Sequence, residues 1–390
     1  MIDVLLNHTC TPIDEAVFVA LLENSVASTY VDYERALRTS EISFNDLVRL
    51  ARHGEIPYTL FFAPLSAVEA QIMTKTDKLL NGLNKDTFSV NSRDKVSLRD
   101  IELIVKDLLR KQELLKMHDT TLTKNRIVGL LAKSGESVAA DAATLMGALG
   151  LTHESIRSAR NKSVALTHLI ACLESNQVLV SQSVQHFMPQ RLTGVKFSGM
   201  TIKDAKVPYI FLAGGDPGDY QEPDGRRIFT LTLMSVLIAR KIFAPVTYDG
   251  SSIGSTVKHE YDVVGEMLMP ASALWDVSLA SLEEIKAAAD VFKVTPSAMT
   301  VRAMRLERLG AGTAVAHLEK LKGEYEHRQK SQARTPSPVN GVRKYAGREL
   351  VTRMLHALDD KRISPRDFCR AVCLNRIGPS QINDLRSALR

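Results

Sequence analysis

Apolar residues recur at helical spacing through most of the first 120 positions, with polar residues on the opposite face. The clearest case is the segment SLRDIELIVKDLLRKQELL, whose apolar side chains share one face: Leu98, Ile101, Ile104, Val105, Leu108 and Leu115. A stripe of this kind opposite a charged face is typical of a helix that lies on a hydrophobic core. The pattern therefore predicts a mostly helical N-terminal region.

Between residues 125 and 275, helical and strand-like patterns alternate. VAADAATLMGALG and SVALTHLIACLESNQ predict helices, and Gly150 is placed to end the first of them. VLVSQSV and VPYIFLAGG are short apolar runs, which predict strands. PDGRR predicts a turn, and IFTLTLMSVLIARKIF is long and apolar enough for a buried helix. These elements predict an α+β, mostly helical fold, with a small β-sheet packed on a central helix.

After Pro270 the pattern is helical again. SLEEIKAAADVFKVTPSAMTVRAMRLERLG predicts two helices separated by a short break, where Thr295 is placed to cap the second helix and Pro296 suits its first turn. A helix–turn–helix of this shape is compatible with DNA binding. Its candidate DNA contacts are the basic residues Lys293, Arg302 and Arg305. The alternative interpretation is a simple packing pair.

Shifts in composition along the chain divide it into five predicted segments. The polar stretch KGEYEHRQKSQARTPSPVNG, with two prolines, is typical of a linker. The predicted segments are an N-terminal helical region (1–124), a central α+β domain (125–275), a helical extension (276–325), the linker (326–340) and a C-terminal helical domain (341–390).

Net charge is concentrated in the last segment. Residues 341–390 carry eleven Lys or Arg against five acids, so their net charge of +6 equals that of the whole chain. A basic domain on a neutral body suggests a polyanion or an acidic protein as partner, and the alternative is an ordinary solvated surface. The candidate nucleic-acid contacts in this segment are Arg343, Lys344, Arg348, Lys361 and Arg362.

Composition otherwise indicates a soluble protein without a membrane helix or signal peptide, because 45% of residues are hydrophobic and no apolar run is long enough to span a bilayer. The four cysteines are too few and too scattered for a disulfide framework, which favours a reducing cytoplasm. Cys369 and Cys373 are four residues apart, but no second pair of ligands accompanies them. We therefore expect two small core residues there.

Phosphate and calcium loops are not expected from this sequence. The glycine-rich stretch LAGGDPGD, residues 212–219, lacks the following Lys and Ser/Thr of a phosphate-binding loop, so it predicts a turn. The spacing of Asp216, Asp219 and Asp224 fits no calcium loop. No GxSxG motif is present.

An ordered set of segments resembles the ImmA/IrrE family of zinc peptidases, in its longer helix–turn–helix-associated form. Phe229, Thr230 and Leu231 stand where the family's metal-binding helix begins, after a strand similar to KVPYIFLAGGD. EMLMP and FKVTPSAMTVRAMRLERLG resemble the family's next helices, and the flanks ISFNDLVRLARHGEIPYTLFFAP and GVRKYAGRELVTRMLHALDDKRISPRDFCRAV are similar to the flanks of longer members. The resemblance covers residues 30–390 and implies a zincin-like core.

The residues that bind zinc and cut peptides in that family are replaced here. Alignment on Phe229–Leu231 puts Leu233 and Leu237 at the two histidine positions and Met234 at the position of the catalytic glutamate. The third ligand falls near Val257, where neighbouring His259 or Glu260 would serve if the alignment shifted. The resemblance thus implies a degenerate, non-catalytic member with no metal and no cofactor.

Without the catalytic residues, the function that this resemblance implies is binding. The first hypothesis is an antitoxin-like or regulatory pseudo-peptidase that binds a toxin or repressor through an exposed strand edge formed by Tyr209, Ile210, Phe211 and Leu212. The second is a transcriptional regulator of a phage or mobile element, which binds operator DNA. The third is a residual zinc endopeptidase. An antitoxin that represses its own promoter would combine the first two.

Overall fold

The computed structural model confirms a mostly helical α+β protein with two small mixed sheets. The residues described are 1–7, 9–80, 98–133, 135–184, 186–192, 195, 198–214, 222–246, 259–327 and 336–389. The chain forms two compact units, of which the first comprises residues 1–81 and 96–108 and the second comprises residues 82–95 and 109–390.

The first unit combines helices with a three-stranded sheet. Its elements are β1 (Ile2–Leu6), β2 (Thr9–Ile13), α1 (Glu15–Glu23), α2 (Val31–Thr39), β3 (Glu41–Ser43), α3 (Phe44–His53), α4 (Leu65–Leu80) and residues 98–108 of α5 (Leu98–His118). The strand order is β2-β1-β3, with β1 antiparallel to β2 and parallel to β3. The prediction of a mostly helical N-terminal region did not include this sheet. Four of the five residues of β2 are exposed, so this strand has no alternating apolar pattern.

The second unit contains a four-stranded sheet and the remaining helices. Its elements are α6 (Val138–Leu149), α7 (His153–Arg157), α8 (Lys162–Glu174), β4 (Leu179–Gln182), β5 (Gly199–Ile202), β6 (Tyr209–Leu212), α9 (Asp224–Ala239), β7 (Pro245–Val246), α10 (His259–Leu268), α11 (Ala271–Leu274), α12 (Leu282–Val291), α13 (Pro296–Arg305), α14 (Ala311–His327), α15 (Pro338–Ala346), α16 (Arg348–Asp359), α17 (Pro365–Ala371) and α18 (Ile382–Ala388).

The four-stranded sheet has the order β4-β6-β5-β7. Strands β4 and β6 run parallel, whereas β5 is antiparallel to both β6 and β7. Helix α9 packs against β5 and β6 and against the helices α8 and α10, which makes it the central helix that the sequence predicts. At Gly199, where β5 begins, a Cβ atom would lie 2.4 Å from the Phe211 carbonyl oxygen and 3.0 Å from the Met234 side chain, so only glycine fits.

Helix ends follow the sequence signals in most places. Gly150 adopts the left-handed conformation after α6, and the Thr295 side chain accepts a hydrogen bond from the Ala298 N–H at the start of α13. The predicted turn at PDGRR is wrong, because Pro223 precedes α9 and residues 224–227 form its first turn. Proline suits that boundary, since its fixed φ and missing N–H cost little before a helix.

The C-terminal helices belong to the second unit, together with the four-stranded sheet and α9. The segments predicted as 125–275, 276–325 and 341–390 all lie in this one unit. The Ser181 hydroxyl in β4 donates a hydrogen bond to the Tyr345 carbonyl oxygen. The Tyr209 hydroxyl in β6 donates a hydrogen bond to the Ala346 carbonyl oxygen at 2.9 Å. Most of the predicted linker, residues 328–335, lies outside the described residues.

A buried carboxyl group joins α8 to the start of α16. Glu174 is 4% exposed, its Oε1 accepts a hydrogen bond from the Glu349 N–H at 3.3 Å, and burial raises its pKa to about 8. Because the folded pKa exceeds the unfolded value of about 4.5, this group favours folding at low pH, and its contribution is lost as pH rises from 4.5 toward 8.

Glu174→Gln keeps an acceptor at Oε1 and removes the cost of holding a carboxylate there. We expect the variant to exceed the unchanged protein in free energy of unfolding by ~2 kcal/mol at pH 8, with a smaller difference at pH 5. Urea denaturation at the two pH values measures this difference. The control is Glu326→Gln, at an exposed position, for which we expect no pH-dependent difference. A Glu174→Gln effect of equal size at both pH values would contradict the assigned pKa.

Candidate functional site

Three positions align with the zinc-binding residues of the family that the sequence resembles, and all three lie inside the hydrophobic core. Leu233 is 2% exposed, and Met234 and Leu237 are fully buried, all on α9. The Met234 side chain lies beside Gly199, at the start of β5. Two leucines and a methionine offer no imidazole nitrogen and no carboxylate, so they do not fit a zinc ion or its activated water.

His259 begins α10, the helix where the resemblance puts the third ligand. Its Nε2 lies 2.7 Å from Oδ2 of Asp141, a buried residue of α6. The other Asp141 oxygen accepts a hydrogen bond from the Gly135 N–H at 2.7 Å. Both carboxylate oxygens are therefore engaged, and His259 is held as the partner of an aspartate. Val257, the aligned ligand position, lies outside the described residues.

The acidic residues of α10 are held in ion pairs. Glu260 is 8% exposed, and its Oε1 is 3.5 Å from Arg240 Nε. Asp262 accepts from Arg305 Nη1 at 2.7 Å, and Glu266 pairs with Arg302. Among the described residues, no group of three or more His, Cys, Asp or Glu side chains is arranged to hold a metal ion.

Strand β6 does not form the exposed edge that the sequence suggested. It pairs with β4 along one side and with β5 along the other, and Tyr209, Ile210, Phe211 and Leu212 are fully buried. Its backbone hydrogen-bonding groups are thus already used within the sheet, so a partner strand cannot add there. The prediction of a docking edge at these four residues is wrong.

Helix α13 does not offer the arginines that were predicted to contact DNA. Arg302 is 7% exposed, donates from Nε to the Met269 carbonyl oxygen at 3.1 Å and pairs with Glu266. Arg305 forms an ion pair with Asp262. Ser297 is the one exposed residue of this helix. Lys293 lies half-buried in the connection before α13. A recognition helix must present its side chains to the groove, so the packing interpretation of this helix pair fits better.

The C-terminal basic residues differ in how accessible they are. Lys344, Arg348, Lys361 and Arg362 are all exposed. Arg343 is half-buried and donates to the Ala388 carbonyl oxygen at 2.5 Å, while Arg362 pairs with Asp360 at 2.7 Å. The first three are therefore the ones whose charges are open to a polyanion.

The two C-terminal cysteines that lie four residues apart are free thiols in the core, as the sequence predicts. Cys369 and Cys373 are 3% and 2% exposed. Burial raises the pKa of Cys373 to about 12, so its thiol stays protonated at neutral pH. A protonated, buried thiol is a poor metal ligand.

Comparison of the chain with protein-family models, with curated proteins and with solved structures finds no match. In the described part of the chain, no helix combines the length and apolar character that crossing a bilayer requires.

Proposed function

We propose that this protein is a non-catalytic relative of zinc peptidases, whose zincin-like core serves as a scaffold for binding another protein. The observation that carries the proposal is the burial of Leu233, Met234 and Leu237 between the sheet and its neighbouring helices. Apolar side chains at ligand positions stabilise a core by roughly 1.5–3 kcal/mol each, so they suit a helix that has no metal to hold.

The polar residues around α9 support the same proposal. Asp141 and Arg240, which pair with His259 and Glu260, would have to release them before either could bind a metal. Release of His259 would leave one oxygen of the buried Asp141 carboxylate without its partner, which costs ~1–3 kcal/mol. A residual zinc endopeptidase is therefore the weakest of the three hypotheses.

The partner that fits the resemblance is a toxin or a repressor, bound and neutralised without cleavage. Such binding uses a surface other than β6, whose edges are filled within the sheet. Isolation of the tagged full-length chain from its native host, with mass spectrometry of bound proteins, tests this. We expect one intact protein in constant ratio, which arrests growth when produced alone and not when produced together with this chain.

Two outcomes of that isolation would contradict the proposal. Progressive cleavage of the bound protein, stopped by a chelator, would show a peptidase. Recovery of DNA without a protein partner would favour the second candidate, a regulator that binds operator DNA.

The exposed side chains of Lys344, Arg348 and Lys361 are the observation that favours the regulator. DNA affinity would then fall steeply with added salt, because phosphate contacts release counterions. A mobility-shift titration at two salt concentrations distinguishes this candidate. Binding that does not change with salt would exclude phosphate contacts by these residues.

A further inference from the structure

The three-stranded sheet of the first unit has an exposed edge at β2. The strand order β2-β1-β3 leaves one side of β2 without a neighbour in the sheet, and Thr9, Cys10, Thr11 and Pro12 are exposed. The free backbone groups of an edge strand pair readily with another strand, so native sheets often carry charged side chains there. No residue of β2 is charged, so this edge lacks that protection.

The register of the sheet shows which backbone groups of β2 face outward. The Asp3 N–H donates to the Ser40 carbonyl oxygen, just before β3, so the backbone groups of Asp3 face β3 and not β2. Pro12 lies opposite Asp3, and Cys10 lies opposite Leu5. Because the direction of the backbone groups alternates along a strand, Pro12 and Cys10 both point theirs away from β1. Proline has no N–H, so Cys10 is the residue of β2 that offers both a donor and an acceptor outward.

We propose that two copies of this chain associate through antiparallel pairing of their β2 strands, with Cys10 at the two-fold axis. In this register the Cys10 N–H of each copy donates to the Cys10 carbonyl oxygen of the other, because a two-fold axis makes the contact reciprocal. Thr9 of each copy then lies opposite Thr11 of the other copy, and Thr–Thr pairs of this kind stabilise antiparallel sheets. The two sheets become one continuous sheet across the dimer.

The side chains of β2 favour a second copy over an unrelated strand. Threonine and cysteine side chains match themselves across a two-fold axis, because no like charges are placed opposite each other. Leu5, which lies opposite Cys10, is 43% exposed, so Leu5 and Cys10 of the two copies form one apolar row across the joined sheet. Pro12 shortens the usable edge, and a short edge suits a single reciprocal pair at Cys10. This inference stands apart from the proposed function, because neither a toxin nor a repressor enters it.

Sedimentation equilibrium of the full-length chain, in a reducing buffer, tests the proposal. We expect a reversible monomer–dimer equilibrium. Cys10→Pro removes an N–H that the β1–β2 ladder does not use, and it should raise the dimer Kd at least about tenfold, because both reciprocal hydrogen bonds are lost. Cys10→Lys should raise the Kd several-fold at low salt, because like charges then lie opposite each other. Cys10→Ser keeps the backbone groups and should leave the Kd within about twofold.

Cross-linking shows whether Cys10 lies at the interface. In a hydrogen-bonded antiparallel pair the two Cα atoms are ~5.5 Å apart, which lies within the ~4.4–6.8 Å range of disulfides. Cys10 is the exposed one of the four free cysteines. Diamide, which accepts two electrons and two protons from two thiols, should therefore link the dimer through Cys10. The Cys10→Ser variant should not be linked.

The matched control is Val31→Lys, at a 75% exposed apolar position of the same unit, which should leave the Kd unchanged. Thermal unfolding by circular dichroism establishes that each variant is folded. A chain that stays monomeric up to about 1 mM would overturn the proposal. A dimer whose Kd is the same in the folded Cys10→Pro and Cys10→Lys variants, or one that diamide does not link through Cys10, would overturn it as well. Recovery of a foreign strand at β2 of a monomeric chain would assign this edge to another protein.

Discussion

Leu237→Ala should lower the free energy of unfolding by about 3 kcal/mol, because the change leaves a cavity beside the sheet at the centre of the larger unit. Leu237 is fully buried on α9 and belongs to the same core cluster as Ile210 and Leu212 of β6. Removing it costs both the transfer of its side chain from water and the packing contacts of its neighbours. Chemical denaturation, followed by circular dichroism, measures the loss.

The matched control for Leu237 is Val291→Ala, because Val291 is 55% exposed. We expect a change of no more than about 0.5 kcal/mol there. Leu237→His is the informative companion, since it returns an imidazole to the aligned ligand position. It should destabilise the protein at least as much as alanine does, with or without added zinc. Recovery of stability upon addition of zinc would instead show that the ligand geometry persists.

Arg302→Met should lower the free energy of unfolding by ~3–5 kcal/mol, because the change leaves the Glu266 carboxylate without its buried cation. Arg302 joins two helices through Glu266 of α10 and through the Met269 carbonyl oxygen just beyond it. Methionine has a similar volume, so the loss reports the charge and the hydrogen bonds rather than a cavity. Denaturant titration measures it.

A second change at Glu266 separates the cost of the unpaired carboxylate from that of the lost hydrogen bond to the Met269 carbonyl oxygen. Glu266 also accepts from the Ala271 N–H at 3.3 Å, and glutamine preserves that bond. The double variant Arg302→Met/Glu266→Gln should therefore recover part of the loss. Arg366→Met, at an exposed position, is the control and should change stability by no more than about 0.5 kcal/mol. Unchanged stability in Arg302→Met, together with lost DNA affinity, would restore the DNA-binding interpretation of α13.

Local patterns in the sequence were sufficient for the buried central helix and for several helix ends. The run around Leu233 carries no charged residue from position 228 to position 239, so its central position followed from the residues alone. The end of α6 at Gly150 and the cap at Thr295 depend on single residues and their immediate neighbours. Such features need no knowledge of distant contacts.

The sequence could not predict which strands pair or which distant charged residues form ion pairs. VPYIFLAGG is apolar whether it forms an edge or a central strand, and only its pairing with β4 and β5 decides between them. Strand β5 is four residues long and carries no period-2 signal. In the sequence, the arginines of α13 have the spacing of charges that face solvent. Only the structure shows that Glu266 and Asp262 form ion pairs with them. Asp141, the partner of His259, was missed because 118 positions separate the two.

The zinc content of the full-length chain tests the central claim most directly. The purified protein is incubated with a small excess of zinc, desalted and analysed by mass spectrometry of the metal, and its thermal unfolding is recorded with and without a chelator. We predict no stoichiometric zinc and an unfolding midpoint that the chelator leaves unchanged, because apolar side chains occupy the ligand positions on α9. About one zinc per chain, whose removal lowers the midpoint, would contradict a non-catalytic scaffold and restore a metallopeptidase.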